Sequence, residues 1–437
     1  MLHTDKRYQA YIDILREELV PAMGCTEPIA IAYAAARARN LLGCEPDRVE
    51  IEASNNIIKN VKSVVVPNTG NLRGLKASAA AGIVVGQADK YLEVLADVAE
   101  ADYPRIKDFL DNKMIDVVDS TSGLVFDLII RLFAGHSQAS VRISHYHTNI
   151  VLMTKNDTIV YENQDCDEIA ITGQTDRSLL NVKDILDFAA TVDLHELEEL
   201  LQKQIDDNMA IAEEGLENDW GANIGSVLID TWGDDIKVRA KALAAAGSDA
   251  RMSGCDLPVV IASGSGNQGI TASVPVVAYA RELGSDQDTL LRALIVSNLI
   301  TIHQKTGIGR LSAYCGAVSA GCGAGCGIAW LHGGRFEEVA HTLVNALATV
   351  SGIICDGAKP SCAAKIAASV DAGILGYEMF KRGQQFYGGD GIVTKGVENT
   401  IRNIGRLGRD GMKETDKEII RIMLGSNNPT EKKPGND

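Results

Sequence analysis

RLSAYCGAVSAGCGAGCGIAWLHGG (residues 310–334), then a helix-like run, then SGIICDGAKPSCAAKIAASV (residues 351–370) hold five of the chain's nine cysteines: Cys315, Cys322, Cys326, Cys355 and Cys362. Thiols grouped in this way suggest a metal or iron–sulfur site rather than disulfides. Cys355 and Cys362 flank Asp-Gly-Ala-Lys-Pro-Ser, turn-forming residues that would fold both sulfurs back toward one point. The spacing is neither that of a CxxC zinc knuckle nor that of a ferredoxin run. It therefore disfavours electron transfer and favours a catalytic cluster. On a helix Cys315, Cys322 and Cys326 would share a face, but Cys315 and Cys322 would stand roughly 10 Å apart along the axis. Both could hardly bind one compact cluster. The glycines between positions 321 and 327 make a regular helix there marginal.

Working outward, 437 residues suffice for two or three domains with substantial cores. Hydrophobic residues make up 46% and charged residues 23%, an ordinary soluble balance. A net charge of −16 argues against a nucleic-acid or anionic-membrane partner. The opening MLHTDKRYQAYIDILREELV has no apolar signal core and no cleavage site. Apolar runs such as residues 257–263 are too short to span a bilayer. Nine cysteines and no export signal point to a reducing cytoplasm.

The expected fold class is α+β, a mixed α/β N-terminal domain followed by a mainly helical, Gly/Cys-rich C-terminal domain. Residues 1–43 read as two helices broken at PAMGCTEP (residues 21–28), which places Cys25 on a turn. Thr26 would cap the second helix, with Pro28 in its first turn. A thiol there feels the positive end of the helix dipole, which lowers its pKa; the alternative is a buried structural cysteine. Residues 44–215 form the α+β part. A strand is expected at 49–54, loops at SNNIIKN (54–60), a strand-like VKSVVVPNTG (61–70), and a helix from 75 to about 86. Strands are expected at 114–120, 124–133, 139–144 and 150–153, with a hairpin signal at Asn156-Asp157. His145 and His147 would share one strand face, as core or substrate-facing residues or as a zinc pair. Residues 183–215 read as one charged amphipathic helix. Residues 216–425 form the helical domain, and 426–437 a disordered tail.

GSGNQG (residues 264–269) follows the apolar run LPVVIAS and matches GxGxxG, but the context is wrong for a dinucleotide. Pro275 is expected to interrupt the next helix, and the segment after it reads as a second helix rather than a strand. A nest of backbone N–H groups with Asn267 and Gln268, suited to a carboxylate, is the better reading. SDARMSG (residues 248–254) offers Arg251 as a carboxylate anchor or as a surface arginine.

PAMGCTEPIAIA, HTNIV, SDARM, SGSGNQGI, RLSAYC and ICDGAKPSCAAKI, in order over nearly the whole chain, resemble the L-cysteine desulfidase family (the CyuA group). That family is related to the iron–sulfur L-serine dehydratase α chain. The resemblance implies a [4Fe–4S] cluster on three cysteines and breakdown of L-cysteine to pyruvate, ammonia and sulfide. Cys355 and Cys362 match its ligand motif. The third ligand is Cys315 by the desulfidase pattern or Cys322 by the serine dehydratase pattern, and Cys315 is chosen. Cys25 matches the family's GCTEP motif and is the expected base, a low-pKa thiolate that takes the α-proton. Contacts to the amino-acid substrate would come from Asn55, Asn56, Thr148, Asn149, Arg251, Gly264, Ser265, Gly266, Asn267 and Gln268. A homodimer with no nucleic-acid or membrane partner is the expected assembly. Two rivals stand beside this reading. One is a pyridoxal-phosphate lyase with Lys359 or Lys365 as the Schiff base. The other is a non-enzymatic redox or metal sensor using Cys322 and Cys326.

Overall fold

Alanine-rich helices and a sheet with one buried face make up the first half of the chain. The computed structural model describes residues 1–163, 175–309 and 311–424. The tail expected to be disordered lies outside the described residues. Helix α1 (Lys6–Glu18) is capped by the Asp5 carboxylate, which accepts from the Arg7 N–H. Strand β1 (Pro21–Met23) and helix α2 (Thr26–Leu42) follow. Pro28 lies in the first turn of α2, where its missing N–H breaks no helical bond. Strand β2 (Arg48–Ala53) leads to α3 (Asn55–Val61), α4 (Gly74–Val84) and α5 (Tyr103–Asn112). Then come β3 (Met114–Asp119), β4 (Asp127–Ala134), β5 (Ser137–Ser144), β6 (Ile150–Lys155) and β7 (Thr158–Glu162).

These six strands, without β1, form one sheet in the order β3-β2-β4-β5-β6-β7. Only the β2–β3 pair is parallel. The β6–β7 hairpin turns at Asn156 and Asp157, with φ of 48° and 64°, as the sequence signal requires. Val49, Ile51, Ile130, Leu132 and Val141 are buried on the sheet, and α2 packs on β4 and β5. Alternate positions carry charge: Arg131 bridges Glu50 at 2.7 Å and Glu52 at 2.8 Å. A sheet with one packed face and one solvated face alternates in this way.

The second half is helical: α6 (Val182–Thr191), α7 (Glu198–Glu217), α8 (Ile224–Trp232), α9 (Ile236–Met252), the short β8 (Pro258–Val260) and α10 (Gly266–Leu283). It continues with α11 (Gln287–Ile308), α12 (Gly316–Leu331), α13 (Phe336–Thr349), α14 (Cys362–Lys381), α15 (Val397–Arg406) and α16 (Lys413–Leu424). No described helix is long and apolar enough to cross a membrane.

Several local expectations are corrected. SNNIIKN is the helix α3, not a loop, and VKSVVVPNTG is a loop with a single bridge, Val65 to Arg73. The helix expected at 183–215 is two helices, because Asp193 accepts from the His195 N–H and caps a separate turn between them. Pro275 does not interrupt α10. Pro275 removes only the one bond to the Thr271 carbonyl from an 18-residue helix whose residues on both sides of it are buried in the bundle. The GCGAGCG run is a regular part of α12, where five glycines cost roughly 0.5–1 kcal/mol each relative to alanine.

The neighbours of α12 explain those glycines. A Cβ on Gly321 would lie 2.4 Å from the Ser369 carbonyl oxygen, and one on Gly325 would lie 2.6 Å from the Gly373 oxygen. Contacts that advance together, 321 with 369 and 325 with 373, mean that α12 and α14 run parallel in close backbone contact. On another side a Cβ on Gly316 would strike the Gln268 side chain, and one on Gly327 would strike Val276, so α10 is parallel to α12 as well. Helix α11 is antiparallel to α12: Gly323 meets Ser297 and Thr301, and Gly327 meets Ala293. Three helices therefore start at one end of the bundle. Gly325→Ala is expected to destabilise the protein by about 1–3 kcal/mol through overpacking, against the gain of about 1 kcal/mol that alanine gives in an open helix. A urea midpoint that rises instead of falling would show that this contact is loose.

Candidate active site

Two short devices bring distant segments to that end of the bundle. Strand β1 pairs with β8 antiparallel, Ala22 opposite Val259. The Gly24-Cys25 turn therefore lies beside the turn at Ser263-Gly264, where φ is 49° and 78°. Thr26 Oγ1 lies 3.1 Å from the Gly264 carbonyl. The second device is a bridge between Tyr314 and Ile354. Cys315 N–H donates to the Ile353 oxygen at 2.9 Å, and Cys355 N–H to the Ala313 oxygen at 2.7 Å. Cys315 is the N-cap of α12, and Cys362 is the first residue of α14.

A cavity of about 100 Å³ forms where these elements meet. Cys25, Cys315, Cys355 and Cys362 line it, together with Asn56, Arg251, Gly264, Ser265, Asn267 and Gln268. Cys322 and Cys326 are not among its lining residues; they are buried within the bundle, 1% and 0% exposed. The face that Cys315 would share with them on a helix is therefore not realised, because Cys315 stands at the helix end. Asn55 lies outside the cavity, while Thr148 and Asn149 line a neighbouring one of about 540 Å³ that shares His147 and Gly264 with it. Gly266 makes room: a Cβ there would sit 2.3 Å from Arg251 Nε. His145 and His147 do not share a strand face. Strand β5 ends at Ser144, and His145 turns the chain with φ of 66°. Both nevertheless reach the cavity. Strained backbone at Ser263 and at His145 lines one site, a pattern common at functional centres.

Sequence reasoning passed over Glu27, Lys305 and Tyr314, which also line the cavity, as do Lys59 and Asn60 of the segment whose Asn and Lys side chains read as a carboxylate site or a loop. A signal existed for Asn60: it lies four residues after Asn56 and shares its face once the segment is read as helix. Glu27 accepts from Cys25 Sγ at 3.4 Å and from Asn60 Nδ2 at 2.8 Å. The Lys59 ammonium pairs with Asp416 of α16.

The electrostatics reverse one expectation. Burial pushes the Cys25 thiol up rather than down, and the Glu27 carboxylate pushes it further, with Arg251 opposing. The helix dipole, a surface-scale effect of about 0.3–1 kcal/mol, loses to desolvation at a residue 2% exposed. Burial disfavours the charge on Glu27 as well. The neighbouring His147, the Asn60 amide and the Cys25 thiol nevertheless hold its carboxyl below the ordinary value. Cys355 moves the other way. The Cys315 S–H, with the Gly357 N–H and the Lys59 and Lys365 ammonium groups, overcomes burial and lowers its thiol to about 6. Burial raises the Cys362 thiol.

Among the described residues, Asn56 Oδ1, Gln268 Oε1, Tyr314 Oη and Arg251 Nε are buried with no hydrogen-bond partner. Each unpaired buried group costs about 1–3 kcal/mol, so this lining suits a small polar ligand. Arg251 is 4% exposed and donates to Asn267 Oδ1 at 3.0 Å, which removes the surface-arginine alternative. Lys359 Nζ lies 3.3 Å from the Lys59 carbonyl and 3.2 Å from Ser63 Oγ, and Lys365 pairs with Asp356 at 2.5 Å.

A family model described as the serine dehydratase alpha chain matches residues 89–421. The chain belongs to the serine dehydratase alpha chain family. This family implies an enzyme of lyase or dehydratase type and is associated with iron–sulfur clusters. The serine dehydratase alpha chain match begins after the Cys25 turn, but whole-length relatives cover that turn. A UPF0597 protein of Desulfitobacterium hafniense is 61% identical over 97% of this chain and 98% of its own length. Those of Lachnoclostridium phytofermentans and Treponema denticola are 50% and 49% identical, over 95% and 96% of this chain and 100% and 98% of theirs.

The donor set fits a cluster of the family's kind. Three thiols line the cavity, and the Lys59 ammonium, paired with Asp416, helps to lower the Cys355 thiol. Among the described residues no three His, Cys, Asp or Glu side chains converge on a single ion. A cluster places its thiolates on different irons and so spreads them wider than one ion does. The protonated state of Cys25 is open to test. In the apo protein at neutral pH, iodoacetamide should label the exposed Cys44 well before Cys25, as peptide mass spectrometry would read.

Proposed function

We propose that this chain is an iron–sulfur lyase that removes sulfide from L-cysteine by β-elimination, leaving pyruvate and ammonia. One observation carries the reading: a single small cavity is lined by Cys315, Cys355 and Cys362 and by the Cys25–Glu27 pair. Cys315, Cys355 and Cys362 would hold a [4Fe–4S] cluster, which when bound supplies a soft Lewis acid for the leaving thiolate. Arg251 suits the substrate carboxylate, through the unpartnered Nε and the Nη1 that now meets Asn267. Gln268 Oε1 and Asn56 Oδ1 are acceptors for the ammonium group. Ser265, at the N-cap of α10, adds the positive end of a helix to the carboxylate side. Cys25 would take the α-proton. The aminoacrylate product hydrolyses in water by itself.

L-Serine is the second candidate substrate, favoured by the description of the matching family. The same residues would bind its carboxylate and amine, and only the leaving group differs.

After anaerobic reconstitution about four iron and four sulfide per chain are expected, for a cubane of this kind. Sulfide and pyruvate should then form from L-cysteine faster than ammonia and pyruvate form from L-serine. The opposite ranking would make the protein a serine deaminase. Stoichiometric zinc with no iron uptake would end the cluster reading.

The third ligand has its own test. Cys315→Ala should abolish iron binding, while Cys322→Ala, inside the bundle, should leave most of it. The reverse result in an iron assay would assign Cys322.

A further inference from the structure

The β-elimination reading leaves one step without an owner. A thiol takes up the α-proton only as its thiolate, yet Cys25 is buried and its S–H is directed at a carboxylate. Glu27, two residues further along the first turn of α2, is 8% exposed and lines the same cavity. Its Oε2 accepts from Cys25 Sγ at 3.4 Å. Its Oε1 accepts from Asn60 Nδ2 at 2.8 Å. Thr26 Oγ1 lies 3.1 Å from Oε2, and also 3.1 Å from the Gly264 oxygen, with one proton to give. A carboxylate buried this deeply is costly unless donors hold it. These donors fix both oxygens and leave Oε2 directed at the thiol. The Asn60 amide comes from α3, against the cluster loop: a Cβ on Gly357 would lie 2.8 Å from Asn60 Oδ1. The carboxylate is thus positioned by the same helix that packs on the Cys355–Cys362 segment.

We propose that Glu27 receives the Cys25 thiol proton as Cys25 takes the substrate's α-proton. This rests on the elimination reading. The Cα–H bond breaks and its proton goes to Cys25 Sγ. The proton already on Sγ passes to Glu27 Oε2. The Cα–H electron pair becomes the Cα=Cβ bond, and the Cβ–S pair leaves with sulfur as hydrosulfide. No free thiolate has to build up in a desolvated site, where burial disfavours it. Glu27 acts through Cys25 and is therefore a positioning residue and a proton store. Cys25 is the group that touches substrate.

The test uses the reconstituted full chain with Glu27→Gln and Glu27→Asp. Glutamine keeps the shape and can still accept from Asn60, but cannot take a proton. Iron content and absorbance should match wild type in both. In Glu27→Gln, KM for L-cysteine should stay within about threefold while kcat falls at least a hundredfold, the loss typical of a missing general base. Glu27→Asp should recover at least tenfold of that loss. With α-deuterated L-cysteine the isotope effect on kcat should grow in Glu27→Gln, because C–H cleavage then limits turnover. In the apo proteins Cys25 should alkylate faster in Glu27→Gln than in wild type, since the carboxylate no longer repels the thiolate. Near wild-type kcat in Glu27→Gln would overturn the proposal. So would a loss confined to KM or to iron content, an unchanged isotope effect, or an unchanged alkylation rate. Should cluster-loaded wild type eliminate neither L-cysteine nor L-serine, the elimination reading itself has failed, and this proposal falls with it.

Discussion

Backbone contact between helices at glycine is the constraint from which the site follows. Gly321 and Gly325 let α12 lie against Ser369 and Gly373 of α14 with no side chain between them. The offset between the paired positions, 48 residues, carries Cys315 to the level of position 363, beside Cys362. A larger residue at any of these glycines would push the helices apart and separate the thiols. The local cost of the five glycines, roughly 3–5 kcal/mol relative to alanine, is offset by packing that only glycine permits. Parallel alignment has an electrostatic consequence. The positive ends of α10, α12 and α14 meet, which disfavours the bare bundle and favours whatever negative charge lies among them.

The N-terminal half supplies the remaining chemistry through few contacts. The β1–β8 ribbon sets the Cys25 turn against the glycine-rich turn before α10. Helix α3 reaches the Cys355–Cys362 loop, where Lys359 Nζ meets the Lys59 carbonyl. The thiol–carboxylate pair and the three thiols therefore belong to different parts of the chain and meet in one cavity. Desolvation then governs the site. It raises Cys25, and it would raise Glu27 and Cys355 too, were each not held by donors placed for that purpose.

Much of the scaffold was legible in the sequence. Strands β2 to β6 and the Asn156-Asp157 turn follow from alternation and turn chemistry, which are local effects. Misreadings occurred where tertiary contact overrides local preference. The glycines from 321 to 327 look like a broken helix until neighbouring helices pack on them. Pro275 looks like a helix end until the bundle buries the helix on both sides of it. NNIIKN is short and polar, and is helical because its buried residues Ile57, Ile58 and Val61 pack inward.

The sequence by itself singled out Cys25, Cys315, Cys355, Cys362 and Arg251 from residue type and motif, and these five line one cavity. Tertiary structure alone decided their partners and their charge. Spacing could not say which of Cys315 and Cys322 reaches the cavity, because that depends on which end of α12 faces it, and that end carries Cys315. Nor could motif reading foresee a Cys25 thiol raised by burial beside a Glu27 carboxyl held below its ordinary value. The proton follows desolvation and hydrogen-bond donors, and both are set by residues such as Asn60 and His147 that lie far away along the chain.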